Sequence, residues 1–330
     1  MSTYARYGWL GVVAAVAVVA PLAFPERQEF VLMQILIGAV FATSFNILLG
    51  YTGLVSFAHA AFFGIGTYTV TLLWVHLGWS VLIGIVLAPV VAGAIAYVTG
   101  LLALRAVRLY FALLTLALGQ ILFLVTFQWR GFTRGDDGIH GVVLPGFIGP
   151  TTNRYYFLLG IAGVAISAMW ILMRSPFGAT LKAIRENRER AGFLGIRVKR
   201  YELAAFTLGG AFAGVAGAMF AIQDQGAFPN LLLWTKSAEP IFITLIGGQF
   251  VFLGPSLGAL IFIPLEYWVT RTFAYWGAVL GVILLLIILF LPGGVGDALR
   301  RLFNRDGAPP EASDPGLEDV GGPEVTGEHP

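Results

Sequence analysis

The residues able to do chemistry are few and lie far apart. Thr52, Ser56 and His59 fall within Gly50-Tyr-Thr-Gly-Leu-Val-Ser-Phe-Ala-His-Ala-Ala-Phe-Phe-Gly-Ile-Gly66, an apolar run interrupted by Gly50, Gly53, Gly64 and Gly66. Helix breaks at membrane depth survive only where the freed backbone is buried in protein or lines a water-filled cavity. Transporters use such breaks to form a path or site near the midplane. The run, Tyr51 included, is therefore a candidate translocation path; the alternative is close helix packing through small residues. His59 by itself reads as a hydrogen-bonded packing residue. A second interrupted segment runs from Gly247 to Gly258 and contains Gly248, Gly254 and Pro255. Paired interruptions in the two halves hint at an internal repeat with a site between them, although no residue-level repeat is visible. Glu266 is the best intramembrane carboxylate, a functional candidate by default, with Arg271 close behind it. Asp136, Asp137 and His140 could suggest a metal, but no further ligand accompanies them and the Gly-rich stretch reads as a turn.

Other chemistry is excluded. The chain has no Cys, so disulfides and thiolate chemistry are absent. No GxxxxGK[ST], HExxH or GxSxG motif occurs. No catalytic residue and no metal site is assigned, and His59, Glu266 and Ser56 are joined by no motif. No row of intramembrane charges marks a proton relay, which argues against an ion-coupled secondary transporter.

The elements that must position these residues follow from composition. Of 330 residues, 58% are apolar and 12% charged, with 42 glycines besides. An ordinary soluble domain carries about 25% charge, and a fold of this length cannot hide so much apolar surface from water. A nucleic-acid binder, a disulfide scaffold and a disordered chain are all excluded. The composition predicts an all-α integral membrane protein, a polytopic bundle of about 8–10 transmembrane helices with some broken by Gly or Pro. The candidate spans are 8–24, 30–49, 57–77, 80–104, 110–129, 155–173, 203–222, 239–270 and 274–291. Arg6 before the first apolar run resembles a secretory signal; the run reads as an uncleaved helix because further spans follow. The stretch 239–270 is either one broken span or two short ones.

Charge is segregated. Between Arg174 and Glu202 lie eight basic residues against three acidic ones, whereas from Asp306 to the end there are seven acids and no Lys or Arg. Basic residues near span ends mark the cytoplasmic side, which places 174–202, Arg105, Arg108 and Arg300 inside and predicts cytoplasmic termini. The loop 130–154 then lies outside. Residues 1–303 form the predicted membrane domain. The Pro- and Gly-rich tail 304–330 cannot bury a core and is predicted to be disordered. Within the basic loop, Ser175 and Pro176 can start a helix, Leu181, Ile184 and Arg188 share a face, Arg185 and Glu189 stand four apart, and Gly192 and Gly195 can end it. This amphipathic element either docks in a groove of a soluble partner or lies on anionic membrane lipid.

Over roughly residues 28–292 the sequence resembles the inner-membrane permease subunits of ABC importers for branched-chain amino acids, LivM type. The resemblance is carried by Asn46 to Gly66, Tyr110-Phe-Ala-Leu-Leu-Thr-Leu116, Ser175-Pro-Phe-Gly178, Ala183-Ile-Arg-Glu-Asn187, Gly247-Gly-Gln249 and Leu253-Gly-Pro255. Glu189-Arg-Ala191 with Gly195 is similar to the cytoplasmic EAA-type loop through which importer permeases engage their ATPases. It departs from that pattern at Arg190, where Ala is usual, and lacks the later Pro, with Leu208 near its place. The resemblance implies ATPase coupling through Ser175, Pro176, Gly178, Arg185, Glu186, Asn187, Glu189, Ala191 and Gly195. It implies a LivH-like second permease, ATP-binding cassette subunits that bind the ATP in place of this chain, and an extracytoplasmic solute-binding protein. It further implies a bacterial inner-membrane location and alternating access around a path lined by 50–66 and 247–258. Leucine, isoleucine and valine are the implied cargo; related permeases carry urea, short amides or other amino acids.

Overall fold

The computed structural model describes residues 18–19, 21, 26–106, 109–273, 275–290 and 293–296. The predicted first span, Arg108, Arg300 and the acidic tail lie outside the described residues, wholly or nearly so. The described residues are almost entirely helical: α1 (Glu26–Thr52), α2 (His59–Leu77), α3 (Val81–Ala103), α4 (Leu109–Gln128), α5 (Thr151–Arg174), α6 (Pro176–Glu186), α7 (Arg188–Phe193), α8 (Val198–Asp224), α9 (Trp234–Gly247), α10 (Gly254–Thr272) and α11 (Trp276–Phe290). A one-turn helix, Arg130–Thr133, follows α4. Among the described residues six helices, α1 to α5 and α8, are long and apolar enough to cross a bilayer. The stretch 239–270 is two helices, α9 and α10, separated by a tight connection at Gly248–Leu253, where Gly248 adopts φ 101°.

Contacts between helix ends set the direction of each helix. One face of the bundle carries α6 and α7; here Arg185 donates to the Gly50 carbonyl at the end of α1. The opposite face carries the start of α1, where Thr152 donates to Glu29 at 3.0 Å and Gln223 Nε2 donates to the Phe30 carbonyl at 3.2 Å. Helix α1 therefore descends toward the α6 face and α8 rises from it. After α1 the chain turns back into the protein. The first residue of α2, His59, lies beside Ser44, which is eight residues, about 12 Å, inside the end of α1. From there α2 runs to the far face, where His76 reaches the Phe132 carbonyl.

The second half repeats this plan upside down. After α8 the chain turns back from the far face through the 3₁₀ turn Pro229–Leu232, and α9 begins at the same depth as α2. Helix α9 then runs to the α6 face, where Gln249 approaches Gly50. The order long helix, re-entrant break, half-depth helix, two further helices (α1–α4 and α8–α11) therefore occurs twice with opposite directions, the inverted-repeat plan of many transporters. At the far face the second re-entrant region is also joined to the α4–α5 loop, where β1 (Ile139–His140) pairs antiparallel with β2 (Gly226–Ala227).

Small residues make the central packing possible. A Cβ on Gly66 would strike the backbone of Gly214, and one on Gly217 would strike the Phe63 carbonyl, so α2 and α8 meet backbone to backbone. Helix α1 contributes to two separate apolar cores: Met33, Val40 and Phe41 pack with α2, α5 and α8, whereas Ala39 and Ala42 pack with α9, α10 and α11. The outward faces of α4 and α11, with Leu113, Val125, Leu285 and Leu289, are exposed apolar surface, suited to lipid or a partner helix.

Candidate functional site

The two breaks meet at mid-depth through one hydroxyl. Ser237 Oγ, in the first turn of α9, donates to the Phe57 carbonyl at 2.7 Å and accepts from the Ala60 amide at 2.9 Å. This satisfies one of the amides that every helix N-terminus leaves unpaired, and it brings the positive ends of two half-helices together. His59 is fully buried beside them. Its Nε2 shares a 2.9 Å hydrogen bond with Ser44 Oγ, its ring stacks on Phe41 at 5.3 Å, and Phe45 meets it edge-on at 5.2 Å. Among the described residues the Asn46 amide group, Ser56 Oγ and His59 Nδ1 are buried without a hydrogen-bond partner, which is costly for ordinary core groups.

The candidate path residues separate into distinct places. Gly50, Tyr51 and Thr52 form the last turn of α1, and Gly53 leaves it at φ 73°. Ser56 lies in the re-entrant turn and His59 at the start of α2. Gly64 and Gly66 lie inside unbroken α2, packed on Leu232 and Gly214 respectively. Gly247, Gly248, Gly254 and Pro255 form the α9–α10 connection, where Gly247 and Gly254 are in backbone contact and the space beside Gly50 is filled by Asn46 and Gln249. The Gly50–Thr52 and Gly247–Pro255 stretches therefore come together at the α6 face.

A second polar region lies on the far side of the break. A cavity of about 240 Å³ opens between α1, α8, α9 and α10. Its charged members are Lys236, Glu239 and Glu266, with Gln34 and Gln223 beside them. Lys236 is ion-paired to Glu239, and its Nζ sits 5.9 Å from the Phe63 ring centroid. Glu266, expected from sequence to be of interest, faces this cavity. Lys236, Glu239, Gln223 and Ser237 were not anticipated. The available signal was Lys236 itself, the single lysine outside the basic loop, followed at i+3 by Glu239 at the edge of an apolar run.

The basic loop departs from one expectation. It does not form a single helix with an Arg185–Glu189 pair. Asn187, at φ −152° and ψ 102°, ends α6 and caps α7, its Oδ1 accepting from the Arg190 amide at 2.8 Å. Ser175 caps α6 by accepting from the Phe177 amide at 3.3 Å, with Pro176 at the first helical position. Gly178 lies tight against the Met173 backbone, and Gly195 ends the element at φ 82°. Leu181, Ile184 and Ala191 are buried inward, whereas Glu186 and Glu189 face outward. Arg185 bonds Gly50 and lies 4.5 Å from the centroid of Phe250. Burial pulls its guanidinium below the usual value and neighbouring Glu186 opposes this. Arg188 donates to Glu202 at 2.9 Å. Phe193 and Leu194 protrude at 90% and 76% exposure.

Asp136 and Asp137 lie in a 3₁₀ turn, and His140 Nε2 bonds the Asp137 carbonyl at 2.8 Å.

Two inverted halves with re-entrant breaks meeting inside an apolar bundle define a multi-pass membrane protein of the transporter class. The chain belongs to the family described as the permease component of branched-chain amino acid transport systems, whose model matches residues 28–289. It is 25% identical over 321 residues to the high-affinity branched-chain amino acid transport permease LivM of Salmonella typhimurium, covering 89% of this chain and 76% of that protein. Identity to LivM of Escherichia coli is 26%, covering 76% of this chain and 65% of that protein. The autoinducer 2 import permease LsrC of Klebsiella pneumoniae is 31% identical over half of each chain (50% and 49%). No solved structure matches the chain.

Proposed function

We propose that this chain forms part of the membrane path of an ATP-driven importer for branched-chain amino acids in the bacterial inner membrane, with ATP bound and hydrolysed by partner subunits. The observation that carries this reading is the Arg185 link to Gly50. It joins the surface element α6–α7 to α1, the helix shared by both cores. A push on α6 is thereby delivered to the helix that leads into the first re-entrant break. Lys182, 5.3 Å from the Tyr51 ring centroid, adds a second link at the same end. Family membership supports a binding-protein partner and ATPase partners, and the exposed flanks of α4 and α11 suit a LivH-like second permease.

The exposed pair Phe193–Leu194, set among basic residues, is what an ATPase groove would take. Large exposed apolar side chains on a charged surface element mark interaction sites. The alternative of lipid contact alone predicts attachment without a protein partner. Other amino acids, amides or urea remain the alternative cargo, since choice of cargo also rests on the binding protein.

The test is mass spectrometry of what co-purifies with the chain in mild detergent, together with uptake of labelled leucine in energised and ATP-depleted cells. Wild type is expected to bring down an ATPase and a second permease and to lose uptake on ATP depletion. Phe193→Ala with Leu194→Ala is expected to deplete the ATPase alone and reduce uptake at least about tenfold, as for loss of an interface anchor. Undiminished ATPase recovery and uptake in that variant, or in a Glu189→Ala, Gly195→Ala pair, would remove the coupling role.

A further inference from the structure

The cavity between α1, α8, α9 and α10 has a composition that the path and coupling roles leave unused. Three features stand out. The Glu266 carboxylate lines it, and among the described residues no hydrogen bond or ion pair reaches that carboxylate. Gln223 is 3% exposed; its Nε2 is held by the Phe30 carbonyl, and among the described residues its Oε1 faces no donor. Lys236 stands with them, ion-paired to Glu239. Two acceptors and one cation thus line the cavity with acceptor capacity unspent. The apolar part of its wall is Ile37, Phe41, Phe63, Phe220 and Ile263, and Gln34, Tyr267 and Thr270 add further polar groups. An intramembrane carboxylate with no hydrogen-bond donor on it is expensive, and an unsatisfied buried acceptor asks for a donor.

We infer that this cavity is a recognition subsite for the zwitterionic head and apolar side chain of a free amino acid. This deepens, and rests on, the amino-acid reading given above. The ammonium group of the ligand is taken by Glu266 and Gln223 Oε1. Its carboxylate is taken by Lys236, which Glu239 holds in place. Its side chain lies on the Phe41, Phe63 and Ile263 surface. Charge-assisted bonds are the strong ones in a protein interior, and the surrounding apolar walls raise their worth. At about 240 Å³ the cavity is smaller than the roughly 300–1,000 Å³ of sites for drug-sized ligands, which suits a single amino acid. A ligand lacking either charge would leave one of these groups stranded, and a site of this kind rejects such analogues strongly. The subsite lies between the far face and the Ser237 junction, so a ligand seated in it stands next to the break that must open for it to pass.

The experiment is equilibrium binding to the full chain in lipid nanodiscs, with L-leucine and with 4-methylpentanoate, the same skeleton without its ammonium group. Wild type is expected to bind L-leucine saturably. Glu266→Gln, which removes the charge without changing size, is expected to weaken L-leucine binding about tenfold to a hundredfold while leaving 4-methylpentanoate unchanged. Equal binding of L-leucine by wild type and Glu266→Gln overturns the assignment, and so does an equal loss for both ligands. A measurement on the unaltered chain guards against a misfolded variant: L-leucine, but not 4-methylpentanoate, should slow carbodiimide modification of Glu266 as read by peptide mass spectrometry. Failure of that protection also overturns the subsite. ATP dependence of uptake is scored separately. Leucine binding with ATP-independent uptake would sink the importer reading and keep the subsite; ATP-driven uptake without binding or protection would do the reverse.

Discussion

At the scale of single residues, Ser237 carries more than its size suggests. One hydroxyl spans positions 177 and 180 residues away in sequence, bonding Ala60 and Phe57. Ser237→Ala leaves a buried amide and a buried carbonyl without that partner. The expected cost is about 1–3 kcal/mol, seen as a lower unfolding temperature of the purified chain. Transport is expected to fall further than stability, because the half-helix ends are then held less rigidly. Ser237→Thr, which keeps the hydroxyl, is expected to recover most of both. An uptake rate unchanged by Ser237→Ala would show that the junction does not restrain the path. His59 illustrates the opposite lesson. Its position in a Gly-rich run drew attention to it; the Ser44 hydroxyl and the rings of Phe41, Phe45 and Phe62 surround it, and its Nδ1 has no partner among the described residues.

At the scale of elements, the basic surface segment shows how a loop is made stiff. It is two short helices, each capped by the side chain that precedes it, Ser175 and Asn187. The start of its second helix is bound to α8 by the pair Arg188–Glu202, in which Glu202 is 2% exposed and Arg188 31%. Removing the arginine strands a buried carboxylate. Arg188→Met is expected to destabilise the chain by about 3 kcal/mol, the lower end for a broken buried pair because the arginine is partly solvated. Adding Glu202→Gln, which removes the stranded charge, is expected to restore most of it. Thermal unfolding of the three proteins measures this directly; a double variant no more stable than Arg188→Met would mean the pair contributes by packing rather than charge. The segment's amphipathic face was legible in sequence, since Leu181 and Ile184 are spaced for a helix and both are buried. The break at Asn187 was not read, although Asn is a poor helix former and a favoured N-cap.

At the scale of the whole molecule, the inverted repeat makes a prediction about sidedness. The chain has no Cys, so single cysteines report accessibility without background. Gly192, in α7, and Gly146, in the loop at the far face, each have open space where a Cβ would stand. Gly192→Cys is expected to react with a membrane-impermeant maleimide only when the cytoplasmic side is exposed, and Gly146→Cys only from outside. Labelling of both from one side would break the inverted topology itself. The reverse pattern would keep the topology and invert the proposed orientation, placing the α6–α7 element where no ATPase can reach it.

The sequence by itself determined the solvent of this protein and its family. Apolar runs of bilayer length need no tertiary information to be read, because each helix satisfies its own backbone and lipid rewards any apolar face. The spans expected at 57–77, 80–104, 110–129 and 155–173 accordingly fall within a few residues of α2, α3, α4 and α5. Dispersed motifs such as Ser175-Pro-Phe-Gly178 and Gly247-Gly-Gln249 likewise pointed to the permease family without reference to space. Only the tertiary structure decided which glycines break a helix and which let two helices touch. Gly53 leaves α1 at a positive φ, whereas Gly64 and Gly66 stay helical against Leu232 and Gly214; the local sequence is similar, and the difference lies in what stands opposite. It also decided that Lys236, Glu239, Glu266 and Gln223, drawn from three helices, share one cavity. Helical periodicity records which way a side chain faces along its own helix, not what an unrelated helix places across from it.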